Sequence, residues 1–129
     1  MRKYLAAGLL MLFCVCNNGI AQEQVSKSNY TFMIRHTVVF KLKHLKDSPE
    51  EKKFLDAIQK LSAIPGVKKF ELLRQVSKKN NYDFGLSMEF ESVKAYEAYS
   101  NHPDHNAFVQ TYWITEVKDF MEIDYEPYK

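Results

Sequence analysis

The stretch Ile34-Arg35-His36-Thr37-Val38-Val39-Phe40-Lys41-Leu42-Lys43 decides the fold. Ile34, His36, Val38, Phe40 and Leu42 fall on one side of an extended chain, and Arg35, Thr37, Val39, Lys41 and Lys43 on the other. Alternation with a period of two marks a strand with one buried face, expected here over Phe32 to Lys43. His36 is the polar exception on the apolar side.

Outward from this strand the pattern changes period. Ser48-Pro49-Glu50-Glu51 has the form of a capping box with proline at the first helical position, which opens a helix over Pro49 to Ile64. Phe54, Leu55, Ile58, Leu61 and Ser62 make its inner stripe, and Pro65-Gly66 ends it. A second strand is expected over Val67 to Ser77. Lys78-Lys79-Asn80-Asn81 makes a polar turn, and a third strand runs over Tyr82 to Glu91. In that strand Tyr82, Phe84, Leu86, Met88 and Phe90 oppose Asp83, Gly85, Ser87, Glu89 and Glu91. Ser92 caps a second helix with Val93, Tyr96 and Tyr99 on its apolar edge. Pro103 breaks it, a short helix follows over Asp104 to Trp113, and a last strand covers Val117 to Tyr125.

The order βαββαβ implies an α+β fold: a four-stranded antiparallel sheet with its helices on one face. An outer face carrying Ile34, Val38 or the aromatic row of strand three is not left to water. A chain this short has no third layer to cover it. A second copy packed sheet to sheet, a homodimeric α/β barrel, is the expected solution.

The N-terminus reads as a targeting segment. Arg2 and Lys3 precede an uncharged apolar run from Tyr4 to Cys16, too short to span a bilayer as a helix. Gly19-Ile20-Ala21 offers small residues for cleavage, so residues 1–21 are expected to be a secretory signal. The chain is then secreted or periplasmic and free of the membrane after cleavage. Lipoprotein anchoring through Cys14 or Cys16 ranks lower, because Phe13 and Val15 stand where a small residue is wanted. Residues 22–31 form a polar lead-in, and 32–129 the folded domain. Both cysteines and two basic residues leave with the signal. What remains has no disulfide framework and balances 16 basic against 16 acidic side chains. That balance gives no footprint for nucleic acid or an anionic membrane.

Chemistry concentrates in Tyr99-Ser100-Asn101-His102-Pro103-Asp104-His105, which holds two of the four histidines. Histidine titrates near neutral pH, and beside a phenol it can move protons. Two roles fit His36: a core histidine with paired nitrogens, or a general base at a pocket mouth. Tyr99 and His105 likewise fit packing or a shared proton-transfer site, since the Pro103 break can fold them together. His102 and His105 alone are too few ligands for a metal, and no cysteine joins them. His102 is expected at a turn facing solvent, and His44 in an exposed loop. With four glycines in the chain, no phosphate-cradling loop stands out, and no cofactor is implied.

Met33 to Lys41 resembles the opening strand of the stress-responsive dimeric α/β-barrel (Dabb) family. Phe90-Glu91-Ser92-Val93 with Tyr99 to His105 resembles its helix-two signature, and Asp124-Tyr125 its closing strand. The resemblance implies a ferredoxin-like protomer and a homodimer. Plant members of the family are polyketide cyclases that need no metal or cofactor. In them a strand-one histidine and a tyrosine–histidine pair line an aromatic-rich pocket, and His36, Tyr99 and His105 match those positions. Where those cyclases carry a second tyrosine on helix one, this chain has Ala57. A pocket for a small apolar or aromatic molecule is expected between sheet and helices, with Val38, Phe40, Phe54, Phe84, Leu86, Phe108 and Tyr112 as candidate lining, although ordinary core packing is the simpler reading for most of them. A cofactor-free lyase or cyclase is the enzymatic alternative. A cofactor-free monooxygenase is another, since dimeric barrels of the same superfamily do that chemistry.

Overall fold

The computed structural model describes residues 32–128. The expected signal at 1–21 and the lead-in at 22–31 lie outside the described residues. The elements follow the expected order: β1 (Ile34–Leu42), α1 (Pro49–Gln59), β2 (Lys68–Arg74), β3 (Phe84–Phe90), α2 (Val93–Ser100), α3 (Pro103–Phe108), α4 (Ile114–Glu116) and β4 (Val117–Tyr125). A 3₁₀ turn, Lys60–Ala63, extends α1, and a π-helical turn, Val109–Trp113, joins α3 to α4. The helix expected over Pro49 to Ile64 therefore tightens after Gln59.

The four strands pair antiparallel in the order β2-β3-β1-β4, which makes β1 and β3 central and leaves β2 and β4 as edges. Val38 lies opposite Leu86 on one side and Glu122 on the other. His36 lies opposite Met88 and Asp124. Paired residues share a face, so these side chains sit together beneath the helices.

Local chemistry explains the element ends. Ser48 Oγ accepts a hydrogen bond from the Glu51 amide at 3.2 Å, and Ser92 Oγ accepts one from the Ala95 amide at 3.0 Å. The Glu51 carboxylate accepts the Asp47 amide at 3.2 Å and lies 3.5 Å from the Arg74 guanidinium, which explains a buried acid on α1. Gly66 takes φ +91°, a left-handed conformation that glycine adopts without strain, as the chain leaves the 3₁₀ turn. Lys69 also has positive φ, at the register shift between Lys68 and Glu71, a bulge that bends β2.

The core between sheet and helices is aromatic. Phe40 and Phe54 are fully buried and lie 5.8 Å apart between ring centroids. Trp113 sits 5.3 Å from Phe40, and Phe108 sits 5.6 Å from Phe54. Such pairs contribute about 0.5–1.5 kcal/mol each beyond the area they bury.

Three expectations are corrected. Ser62 faces solvent, because the 3₁₀ turn rotates it off the stripe that Leu61 and Ile64 keep. His44 is half-buried, held by Glu116 at 2.6 Å from Nε2. The outer sheet face does not carry Ile34, Val38 or the aromatic row of β3, all of which turn toward the helices. It carries Arg35, Thr37, Lys41, Ser87 and Glu89, with exposed Leu73, Met121, Ile123 and Tyr125. The Glu89 carboxylate is buried there between Arg35 and Lys69. Burial pushes its pKa up, but the hydrogen bonds and charges of the two cations outweigh that and hold it below the usual value.

Phe54→Ala should cost about 3–5 kcal/mol, because it empties the centre of the aromatic cluster. Urea unfolding measures it, and a loss below about 1 kcal/mol would contradict this packing.

Candidate functional site

One cavity of about 270 Å³ opens between the sheet and the helices. Its floor is Val38 and Leu86, with Phe120 and Glu122 from the β4 edge. Ile58 and Leu61 close one side, and Phe108, Val109 and Trp113 the other. His36, Tyr99 and His105 all line it. Three residues from two parts of the chain, singled out for their chemistry, thus meet at one place.

Each is held by a different part of the fold. Strand alternation turns His36 inward, and Asp124 receives it across the β1–β4 pair: Nδ1 lies 2.7 Å from Asp124 Oδ1. The other Asp124 oxygen accepts the Tyr96 hydroxyl at 2.8 Å. A chain Tyr96–Asp124–His36 therefore ends at the cavity, which His36 lines. Tyr96 and Tyr99 both pack on Phe90, at 5.3 and 5.2 Å. After α2 the break at His102-Pro103 swings His105 back over Tyr99, ring centroids 4.7 Å apart. His102 itself caps α3 by accepting the Asp104 amide on Nδ1 at 3.2 Å. His105 Nδ1 lies 3.1 Å from the Ser100 carbonyl.

The partners assign the tautomers. A carbonyl oxygen only accepts, so His105 Nδ1 carries the proton and Nε2 carries the lone pair. The Asp124 carboxylate assigns His36 in the same way. Burial lowers the His105 pKa against the opposing pull of the Ser100 carbonyl, which keeps the ring neutral and basic at neutral pH. Burial raises the Tyr99 pKa, with the nearby Tyr96 and Glu122 adding to it, so the phenol keeps its proton. The same holds for Tyr96, where burial is reinforced by Asp124. Tyr99 is 1 % exposed, yet its hydroxyl makes no hydrogen bond among the described residues. Nε2 of both His36 and His105 is likewise without one.

Of the pocket residues expected from sequence, Val38, Leu86 and Phe108 line the cavity. Phe40, Phe54, Phe84 and Tyr112 do not. Phe40, Phe54 and Phe84 fill the aromatic core beside it, and Tyr112 stacks on Phe108 at 5.7 Å, facing a surface groove with Ala57. Missed from sequence were Ile58, Leu61, Val109, Trp113, Phe120, Glu122 and the Tyr96–Asp124 pair. Asp124 was quoted only as part of a strand signature, and its place opposite His36 depends on β1–β4 register. Val109 and Trp113 belong to the π-helical turn, a local widening that often marks functional sites. For a cation, His36, Glu122 and Asp124 bring one donor atom each within 4.8 Å of one another. His36 and Asp124 already spend those atoms on each other.

The lowered His105 pKa makes a pH prediction. The unfolded chain takes up the proton near 6.5, before the folded chain does. Stability contributed by neutral His105 is thus full above 6.5 and is lost as pH falls through the folded value. A nitrogen-detected NMR titration should show the Nδ1–H tautomer and a midpoint below 6.5. A midpoint above that value would contradict the geometry.

Comparison with known proteins supports the architecture. The family model described as the stress responsive A/B barrel domain (Dabb) matches residues 34–127. A Dabb family protein of ferredoxin-like fold from Mesorhizobium loti is 58% identical, with TM-score 0.73, over 76% of this chain and 99% of that one. A dimeric ferredoxin-like protein of unknown function from Thermobifida fusca is 25% identical, with TM-score 0.60, over 75% and 92%. Hydroxynitrile lyase from Passiflora edulis shares the fold at 13% identity, with TM-score 0.67, over 78% and 97%. No curated protein matches the sequence. With nearly all of its described residues matched by the family model, and a ferredoxin-like sheet and helices to go with it, the chain belongs to the Dabb stress-responsive A/B barrel family.

Proposed function

We propose that this protein binds a small apolar or aromatic carbonyl compound in the cavity beside His36, Tyr99 and His105, and acts on it as a cofactor-independent lyase or cyclase. One observation carries the reading. The Tyr99 side chain is buried, its hydroxyl has no protein hydrogen-bond partner among the described residues, and it lines a cavity walled mostly by apolar side chains. No protein hydrogen bond accounts for that hydroxyl, and a ligand oxygen supplies a partner for it.

The chemistry follows from the protonation states. His105 Nε2 takes a proton from the carbon next to a carbonyl. The C–H bond breaks, its electron pair moves to the carbonyl oxygen, and the Tyr99 hydroxyl donates a hydrogen bond to the developing enolate. His36, oriented by Asp124, stands across the cavity to hold the ligand or return the proton. The proposed residues are those matched to the family's cyclases, and the tautomers of both histidines favour the base role.

We also propose a homodimer built on the outer sheet face. Leu73, Met121, Ile123 and Tyr125 are exposed there, and the buried Glu89 carboxylate is already paired with Arg35 and Lys69 within the protomer. The dimeric relative from Thermobifida fusca supports this. Export with cleavage after Ala21 remains our reading of the N-terminus. No helix among the described residues is long and apolar enough to cross a membrane.

The catalytic reading is tested with a panel of small aromatic ketones and aldehydes, following both turnover and the fluorescence of Trp113, the only tryptophan. Tyr99→Phe should lower turnover by about 100-fold or more while leaving the melting temperature unchanged or higher, because no protein hydrogen bond is lost. His105→Ala should abolish turnover, and His36→Ala should weaken it. Variants that bind and turn over like the wild type would overturn the reading, as would a Tyr99→Phe variant that melts several degrees lower.

Native mass spectrometry of the protein from its own host should give twice the mass of residues 22–129. A monomer would overturn the dimer. A chain retaining residues 1–21, or lipid on Cys14 or Cys16, would overturn cleavage after Ala21.

A further inference from the structure

The β1–β4 register sets Glu122 opposite Val38 on the helix-facing side of the sheet, and it lines the cavity together with Val38, Trp113 and Phe120. No lysine or arginine lines the cavity, and among the described residues none pairs with Glu122 or Asp124. The groups facing Glu122 are weak partners: Oε1 lies 3.7 Å from His36 Nδ1 and 3.5 Å from the Tyr96 hydroxyl. Asp124 takes the short bonds from both, at 2.7 and 2.8 Å. Glu122 is left half exposed. Beside it Trp113 and Phe120 meet edge to face, centroids 5.4 Å apart.

We infer that Glu122 sets the charge class of the ligand: the cavity admits neutral or cationic apolar molecules, small amines with an aromatic or aliphatic body above all, and rejects carboxylates. This deepens the proposed function and rests on its cavity being the ligand site. The ammonium of such an amine reaches the Glu122 carboxylate while its apolar body lies on Trp113, Phe120 and Val38, where aromatic faces also attract cations. A carboxylate in the same place faces the like charge of Glu122, with no lysine or arginine in the lining to offset it. Because Glu122 is half exposed, water and salt screen the effect, so the discrimination is about tenfold rather than a thousandfold.

The test is equilibrium binding of phenethylamine, phenethyl alcohol and phenylpropionate to the folded protein, read by Trp113 fluorescence. In the wild type the amine should bind about tenfold or more tighter than the carboxylate, with the alcohol between, and the gap should shrink as salt rises. In Glu122→Gln the gap between amine and carboxylate should collapse to about twofold. In Glu122→Lys the order should reverse. A carboxylate that binds the wild type as tightly as the amine overturns the inference and leaves the cavity reading standing, provided the alcohol binds. A gap that survives in Glu122→Gln does the same. Failure of all three to bind overturns the inference, and failure of the ketones and aldehydes as well overturns the cavity reading with it.

Discussion

The hydrogen bond between His36 and Asp124 is the constraint on which the site depends. His36 stands on the buried face of a central strand, flanked by Ile34 and Val38. A polar ring in that position must find a partner or destabilise the sheet. Asp124 supplies it across the β1–β4 pair at 2.7 Å. The contact ties the register of the edge strand to the side-chain chemistry of the central one. A slip of one residue turns Asp124 outward and leaves the ring unpaired. Tyr96 closes the arrangement from α2, so sheet, helix and pocket wall share one carboxylate.

The layer between sheet and helices divides into two parts with different packing. Around Phe40, Phe54 and Phe84 the rings fill the space, and the core is closed. Around Val38, Leu86 and Ile58 they do not, and the cavity remains. The helical path sets the boundary. Pro103 ends α2's direction, and the π-helical turn at Val109–Trp113 widens the next helix as it passes over the sheet. Polar groups collect on the open side: Tyr99, His105, His36 and Glu122. The aromatic end anchors the fold, and the polar groups gather at the open end.

Much of this was readable in the amino-acid order. Alternation in Ile34 to Lys43 and in Tyr82 to Glu91 located β1 and β3, and Ser48-Pro49 and Ser92 marked the helix starts. Strand four matched Val117–Tyr125 to the residue. His36, Tyr99 and His105 could be grouped because a family resemblance supplied what spacing alone does not. The missing part was cross-strand and tertiary. Nothing in the order of residues says that Asp124 faces His36, that Tyr96 reaches Asp124, or that Glu122 lies on the helix side. Those follow from β1–β4 register. The pocket lining was also misjudged. Phe40 and Phe54 have the same apolar character as Val38 and Ile58, and only the packing of α3 over the sheet separates core from cavity. The outer face was misassigned because alternation gives two faces without saying which one the helices cover. It proved more polar than expected, with apolar exposure concentrated in β4.

The central claim is that the cavity under Tyr99 and His105 holds a ligand and that the outer sheet face does not. NMR shift mapping with small aromatic carbonyl compounds tests it most directly. The account predicts shifts concentrated on His36, Tyr99, His105, Trp113 and Phe120, with His105 Nε2 as the nitrogen most affected. Shifts confined to the outer face around Leu73, Met121 and Ile123, with the cavity residues unmoved, would contradict it.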